Sequence, residues 1–185
     1  MSLVLKPEIE PNHASMLTLI TAMAVAGGIE KTTGLECKIK WPNDIVIHGK
    51  KVCGILTEMS TQMDYINYIV IGIGINVQNE SFPEEIGEVA TSLRIESGKK
   101  QNRAAIIEAV WEEFEKYYDI YLKTEDMQGL VGEYDQKLAN MNKQVRVLDP
   151  KDPYEGTARG ITPKGELIVD TWEARKLVSS GEVSV

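Results

Sequence analysis

The sequence predicts an α+β protein in which a mixed β-sheet packs with helices and a small β-barrel follows. In the first part of the chain, segments that alternate apolar and polar residues like strands are interspersed with segments of helical spacing. From Lys143 onward only short strand-like segments occur, separated by glycine and proline, which is typical of a small barrel. The 185 residues are therefore expected to form two units, residues 1–141 and 142–185.

The first half of the chain contains five predicted strands and one helix. "MSLVLKP" alternates and stops at Pro7, "LECKIKW" alternates, and "DIVIHGKKVCGILTEM" predicts a hairpin that turns at residues 48–50. "YINYIVIGIGINV" is apolar on both faces, which predicts a central strand of a sheet that is covered on both sides. The helix is expected to start at an Asn12 cap and to stop at Gly34. Its predicted inward face comprises Met16, Leu17, Ile20, Met23, Ala24 and Gly27.

The second half begins with a polar, turn-rich stretch, residues 78–101, with a short helical patch around "EEIGEVATSL". "NRAAIIEAVWEEFEKYYDIYLKTE" predicts a strongly amphipathic helix, and a shorter helix is expected within residues 126–140. The strands of the predicted barrel are "KQVRVLD", "YEGTARGITP", "GELIVDT" and "ARKLVSSGEVSV". The inward face of the long helix is predicted to comprise Ile106, Ala109, Val110, Phe114, Tyr117 and either Ile120 or Tyr121.

Composition limits the possible functions without selecting one. The chain is 43% hydrophobic and 26% charged, and its net charge of −8 argues against a general nucleic-acid binder. No apolar run approaches the roughly 20 residues of a membrane span, and the N-terminus has no signal-peptide pattern. The spacing of Cys37 and Cys53 matches no metal or redox motif, so both are predicted to be reduced core residues. The expected compartment is the cytoplasm.

The segment "IVIGIGIN" lacks side chains on one face. In a strand Gly72, Gly74 and Asn76 point to the same side, so two bare positions are followed by an amide. Glycine weakens a strand, and a flat ligand or another backbone lying on the sheet would justify that cost. Close packing of a helix on the sheet explains the glycines equally well, so both interpretations stand. The segment is not a dinucleotide-binding motif, because it continues a strand instead of opening a helix.

Lys40 ends a predicted strand immediately before a rigid corner. Pro42 fixes the exit of the chain and restricts Trp41, so the direction of the preceding lysine is held. A lysine held in this way can neutralise a carboxylate or a phosphate, although most lysines at strand ends are simply solvated. Asn43 and Asp44 have an ordinary alternative role as turn formers. We predict that Lys40 and the glycine segment lie on adjacent strands and face one common cleft.

Other chemistry is not indicated by the residues. His13 and His48 have no partner at metal-ligand spacing, and neither a Ser-His-Asp arrangement nor a phosphate-binding glycine loop is present in the sequence. The residues alone therefore predict an α+β domain with an anion-binding pocket between Lys40 and the glycine segment.

Taken together, these motifs resemble the biotin protein ligases. "KIKWPNDIVIHGKKVCGILTE" is similar to the first signature of their catalytic domain, and "VIGIGINV" and "EVATSLR" are similar to the segments that follow. "GTARGITPKGELIVDT" with "VSSGEVSV" resembles their C-terminal SH3-like domain. The resemblance covers essentially the whole chain and implies a class II synthetase-like catalytic fold followed by an SH3-like barrel.

The resemblance implies an ATP-dependent activation of biotin to biotinyl-5′-AMP, followed by transfer to a lysine of a biotin carboxyl carrier protein. Lys40 would be the catalytic cation, in contact with both the biotin carboxylate and the nucleotide. Gly72 and Gly74 would bind biotin, Asn76 would bind the nucleotide, and Mg²⁺ would accompany ATP. A homodimer built near the sheet edges is expected. The supporting motif residues would be Trp41, Pro42, Asn43, Asp44 and Gly54.

One departure from the family pattern limits this expectation. The family carries a basic "GRGRRGR"-like loop that clamps the adenylate, and residues 1–185 contain no such segment and no winged helix for DNA. The resemblance therefore predicts a catalytic domain that lacks its N-terminal portion, that ligates slowly by itself and that does not bind DNA. A non-catalytic remnant that keeps dimerisation or carrier binding, or a relative of the lipoate ligases, is the alternative.

Overall fold

The computed structural model describes residues 1–62, 65–149 and 152–184, which form two five-stranded sheets and four α-helices. The first sheet has the strand order β1-β5-β4-β3-β2, and every neighbouring pair is antiparallel. The predicted mixed sheet is therefore wrong, because the only parallel pairing among the described residues consists of two isolated bridges. Its strands are β1 Ser2–Leu5, β2 Lys38–Lys40, β3 Asp44–Ile47, β4 Lys50–Gln62 and β5 Tyr65–Ile75.

The hairpin of β3 and β4 turns as the sequence predicts. His48 and Gly49 have positive φ angles of 50° and 81°, which is the geometry of a two-residue hairpin turn. The central strand β5 is covered on only one face, contrary to the prediction. Ile69, Ile71 and Ile73 are buried, whereas Val70 and Gly72 between them are partly accessible and Gly74 is exposed. Apolar composition on both faces did not reveal this difference, because glycines occupy the open side.

Helix α1, Met16–Thr33, lies in the core and ends at Gly34, whose φ of 74° forms the left-handed cap. Twelve of its 18 residues are buried, so the single inward face that was predicted is too narrow and Gly27 is only half-buried. The stretch Pro11–Thr33 is long and apolar enough to cross a membrane, contrary to the expectation from the sequence. Most of it is buried inside the fold, and a core helix meets the same criterion.

The remaining helices are α2 Leu93–Ser97, α3 Arg103–Tyr121 and α4 Val131–Lys137. The short helical patch was predicted too early, since residues 84–89 form turns and α2 begins only at Leu93. Helix α3 begins at an Asn102 cap and packs along α1, where Gly28 lets the backbone of Val110 approach closely. The predicted inward face is confirmed, with Tyr121 chosen over Ile120: the buried residues are Ile106, Ala109, Val110, Phe114, Tyr117 and Tyr121.

The second sheet has the order β10-β6-β7-β8-β9 and is antiparallel throughout. Among the described residues no pairing joins β9 to β10, so closure into an SH3-like barrel stays a prediction. The division into residues 1–141 and 142–185 also stays a prediction. The strands are β6 Gln144–Val147, β7 Tyr154–Ile161, β8 Leu167–Asp170, β9 Arg175–Val178 and β10 Val183–Ser184.

The two cysteines are free and buried, as predicted. Burial raises the pKa of the Cys37 thiol and of the Cys53 thiol to about 12, because a thiolate would lose its hydration there. Neither is therefore suited to act as a nucleophile at neutral pH.

Candidate active site

The residues singled out in the sequence form a row across the first sheet. Lys40 pairs with Asp44, Asp44 with Gly54, and Gly54 with Gly74. Because directly paired residues of antiparallel strands project to the same face, all four positions lie on one face of the sheet. The prediction of adjacent strands is wrong, since β3 and β4 separate Lys40 from the glycine segment. Three strand spacings place the two ends of the row about 14 Å apart.

The glycines of β4 and β5 form a bare floor on this face. A Cβ at Gly72 would meet only the carbonyl oxygen of Leu56 at 3.7 Å, and one at Gly74 only that of Gly54 at 3.8 Å. No helix of the described residues comes within 4 Å of these positions, and Ile69, Ile71 and Ile73 on the opposite face of β5 are buried in the core. The structure thus disfavours close helix packing as the reason for the glycines and favours a ligand or another backbone.

Two adjoining clefts lie over this face, instead of the single cleft that was predicted. The glycine cleft has a volume of about 530 Å³, and the lysine cleft has a volume of about 350 Å³. Asn43 and Lys51 line both, so they mark the junction between the clefts. The glycine cleft is lined by Met1, Asn43, Lys51, Gly54, Ile55, Leu56, Gly72, Ile73 and Gly74. The lysine cleft is lined by Lys40, Trp41, Pro42, Asn43, Asp44, Lys51, Gly181, Glu182 and Val183.

Lys40 is half-buried at the end of β2 and is available to bind an anion. None of the ion pairs and side-chain hydrogen bonds formed between the described residues involves its ammonium group. The neighbouring Lys38, by contrast, pairs with Glu36 at 2.9 Å and donates to the Gln136 carbonyl. Lys40 is thus a cation on the face of the glycine floor whose charge has no protein partner in the part of the chain described.

The Trp-Pro corner behind Lys40 is held from both sides. The indole Nε1 of Trp41 donates at 3.0 Å to the carbonyl of Gly165, in the turn between β7 and β8, and its backbone N–H donates to Asn140. The Trp41–Pro42 peptide bond is cis, and the Trp41 side chain is buried. Because this corner is packed and hydrogen-bonded, the strand end that carries Lys40 has a defined direction.

The two polar residues after the corner have different tasks. Asn43 is in the turn and joins it to β4, since its Nδ2 donates to the Ile55 carbonyl and its own carbonyl accepts from the Ile55 N–H, both at 2.9 Å. Asp44 begins β3, and its Oδ1 lies 2.6 Å from the Nζ of Lys51. The turn-former alternative thus describes Asn43, whereas Asp44 is the counter-ion of a second lysine.

Asn76 follows the end of β5 and organises the next segment. Its backbone N–H donates to the Val52 carbonyl at 2.8 Å, and its side-chain Nδ2 donates to the Thr91 carbonyl at 3.1 Å. Its carbonyl accepts from the N–H of Leu93 at 2.9 Å. Asn76 therefore anchors residues 91–93, the segment of the "EVATSLR" motif, and a contact with a nucleotide stays a prediction.

Lys51 is the residue of the site that sequence reasoning missed. It lines both clefts, yet in a regular strand it would face away from Gly54. The signal in the sequence was the pair Val52-Cys53, because two consecutive apolar residues interrupt the alternation of the hairpin. No group of three or more His, Cys, Asp or Glu side chains able to hold a metal ion occurs within residues 1–62, 65–149 and 152–184.

Both ends of the chain match models of known protein families. Residues 1–76 match the biotin/lipoate A/B protein ligase family, and residues 141–185 match the biotin protein ligase C-terminal domain. The first match contains Lys40 and the glycine floor, and the second contains the whole second sheet.

Individual relatives support the same assignment over the entire chain. The bifunctional ligase/repressor BirA of Bacillus spizizenii is 38% identical over 187 residues; the match covers 100% of this chain, which spans 57% of that protein's length. The apo structure of biotin protein ligase from Aquifex aeolicus is 30% identical, with a TM-score of 0.88 over 100% of this chain and 80% of that one. The same enzyme in complex with biotin and ATP is 30% identical, with a TM-score of 0.87 over 99% of this chain and 75% of that one.

Proposed function

This chain belongs to the biotin protein ligase family, and from that premise we propose that it activates biotin with ATP and transfers it to protein. The proposed reaction forms biotinyl-5′-AMP and pyrophosphate, and the biotinyl group then passes to a lysine of a biotin carboxyl carrier protein. The observation that carries the proposal is the row across the sheet. It sets an unpaired cation and a bare glycine floor on one face, in a fold similar to that of a ligase in complex with biotin and ATP.

Lys40 supplies what the first step needs most. The carboxylate of biotin must approach the α-phosphate of ATP, and both groups are negatively charged. A fixed cation between them lowers the repulsion in the ground state and stabilises the charge that develops as the new carboxyl–phosphate bond forms. Lys40 is suited to this role because its strand end is held by the Trp41 corner, so little reorganisation is needed when the substrates bind.

The glycine floor is suited to bind the fused rings of biotin, at the end opposite its carboxylate. Gly72 and Gly74 leave the sheet flat and open, so the fused rings can lie against the backbone without displacing side chains. The exposed side chain of Leu56 stands at the side of this floor and adds apolar contact. In the proposal Asn76 lies on the nucleotide side, where its anchoring of residues 91–93 shapes the wall of the site.

Magnesium enters the proposed reaction with ATP. Mg²⁺ prefers oxygen ligands and is commonly held by substrate phosphates together with one or two carboxylates. The described residues offer no preformed metal cluster, so the triphosphate is proposed to carry the ion into the site. A homodimer and a cytoplasmic location complete the proposal, and binding of DNA is not part of it.

The test is pyrophosphate release by the intact protein with MgATP and either biotin or lipoate, followed by transfer to a carrier domain. We expect release with biotin only, and Lys40→Ala should abolish it while the circular dichroism spectrum stays unchanged. Lys38→Ala is the matched control, because Lys38 lies on the same strand but already has protein partners.

Three results would count against the proposal. Release with lipoate instead of biotin would make the protein a lipoate ligase. No release with either acid would favour the non-catalytic alternative. Full activity of Lys40→Ala would remove Lys40 from the centre of the site. The slow ligation expected of residues 1–185 by themselves stays a prediction, which the same assay on those residues alone measures.

A further inference from the structure

An irregularity in the β3–β4 hairpin turns Lys51 toward the candidate active site. Ile45 pairs with Cys53 but Val46 pairs with Lys51, so Val52 is an extra residue in β4. Without this bulge Lys51 would lie on the opposite face from Gly54. Instead Val52 and Cys53 are both buried, and the Lys51 side chain reaches the open face. Bulges next to active sites commonly re-aim a side chain in this way.

The backbone of Lys51 is fixed from a second side. Its N–H donates to the Val89 carbonyl at 2.8 Å, and its carbonyl accepts from the Thr91 N–H at 2.9 Å. The segment that makes these bonds is in turn anchored by Asn76. The bulge and these two backbone hydrogen bonds fix the backbone position of Lys51, so the fold sets the direction of its side chain.

The Lys51 ammonium group rests at the junction of the two clefts. It lies 2.6 Å from Asp44 Oδ1, and its side chain is 50% exposed. Gly54 provides the room, because a Cβ there would come within 3.1 Å of both Cε and Nζ of Lys51. The Asp44 side chain is only 19% exposed, so the carboxylate of the pair is largely buried while the lysine stays accessible to a ligand.

We propose that Lys51 is a second anion-binding residue of the site and that it binds the polyphosphate of the nucleotide. This inference rests on the proposed function. Asp44 holds the ammonium group in place before the substrate arrives. A polyphosphate with several negative charges then competes with one carboxylate for it. Lys40 then contacts the biotin carboxylate and the α-phosphate, and Lys51 binds the remaining phosphates of the nucleotide.

The experiment compares Lys51→Met with Lys50→Met in the intact protein. Lys50 is the matched control, because it is the adjacent residue and its ammonium group donates to the Gly87 carbonyl. Steady-state pyrophosphate release is measured while MgATP and biotin are varied in turn, and calorimetry measures the binding of inorganic pyrophosphate. For Lys51→Met we expect the KM for ATP to rise about tenfold or more and pyrophosphate to bind correspondingly weaker. The KM for biotin should change less than threefold, and Lys50→Met should match the wild type.

Gly54→Ala provides an independent test, since its methyl group displaces the Lys51 ammonium group without removing the charge. This variant should also raise the KM for ATP, but it should add little when combined with Lys51→Met, because both act on the same side chain. Fully additive effects, an unchanged KM for ATP in Lys51→Met, or an equal loss in Lys50→Met would each overturn the inference. If the wild type binds pyrophosphate through Lys51 but releases none from ATP, the inference holds as an anion site and the proposed ligase function fails.

Discussion

Gly74→Ala should weaken the binding of biotin while leaving the fold at least as stable as before. The added Cβ would lie 3.8 Å from the Gly54 carbonyl oxygen and would meet nothing else within 4 Å, which is ordinary van der Waals contact. Where the backbone is unstrained, replacing glycine with alanine restricts the unfolded chain and stabilises a protein by about 0.4–1 kcal/mol. For a chain of this size the melting temperature should therefore rise by roughly 1–4 °C.

The same methyl group should interfere with a ligand that lies on the floor. Extra methyl groups inserted into well-packed contacts cost about 1–3 kcal/mol. If the biotin rings rest on Gly74, the KM for biotin should rise roughly 5- to 150-fold, and the KM for ATP should rise much less. The assay is steady-state pyrophosphate release at saturating MgATP with biotin varied, together with thermal unfolding of the same sample.

Gly28→Ala is the contrasting control. There the Cβ would come within 2.7 Å of the Val110 backbone nitrogen in the contact between α1 and α3. This variant should melt at a lower temperature without a selective change in the KM for biotin. A folded Gly74→Ala protein with an unchanged KM for biotin would refute the assignment of the floor. A drop in its melting temperature would show instead that the glycines serve packing.

Three further predictions concern the rest of the molecule. Trp41→Phe removes the hydrogen bond to the buried Gly165 carbonyl and should lower the free energy of unfolding by roughly 1–3 kcal/mol in chemical denaturation; an unchanged midpoint would contradict the anchoring role. At pH 8 the thiols of Cys37 and Cys53 should react with Ellman's reagent about a thousandfold slower in the folded than in the unfolded protein, because burial raises the pKa of both to about 12. Since the folded pKa of each thiol is raised, the free energy of unfolding should also fall as the pH rises above 9, and rapid labelling of the native protein would refute both statements. A homodimer that uses the sheet edges should sediment as a dimer at roughly tens of micromolar, and Val4→Lys on the edge strand β1 should shift it toward monomer, whereas a wild type that is monomeric there would exclude the dimer.

Local patterns predicted local structure well. The alternation around Cys37 and Ile39, the hairpin turn and the buried face of α3 could all be foreseen, because each depends on a few neighbouring residues. The common face of Lys40 and the glycines followed from the same period-two rule. These features are determined by repeats of two or 3.6 residues that are visible in any short window of the chain.

What could not be foreseen depends on contacts between distant segments. The separation of Lys40 from β5 by two strands is a matter of pairing order, which alternation does not encode. The open face of β5 depends on which side of the sheet the core packs, and the position of α2 depends on the hydrogen bonds that Asn76 makes to residues 91–93. The bulge at Val52 left a signal in the sequence, but its effect on Lys51 requires the register of β3.

The hydrogen bond between Trp41 and Gly165 has a consequence for how such proteins can recombine. In the turn that contains Gly165, the Pro163 carbonyl also accepts a hydrogen bond from the Met127 N–H. Gly165 itself has a φ of 79°, which residues with a side chain rarely adopt. If the C-terminal segment is exchanged between relatives, the new segment must therefore place a carbonyl oxygen where that of Gly165 lies, and it must have a glycine at this turn position. Otherwise the Trp41 indole loses its hydrogen-bond acceptor, and the corner that fixes the direction of Lys40 is no longer held. A hybrid protein that joins the two sheets from different parents should therefore keep the position of Lys40 only if it preserves this turn.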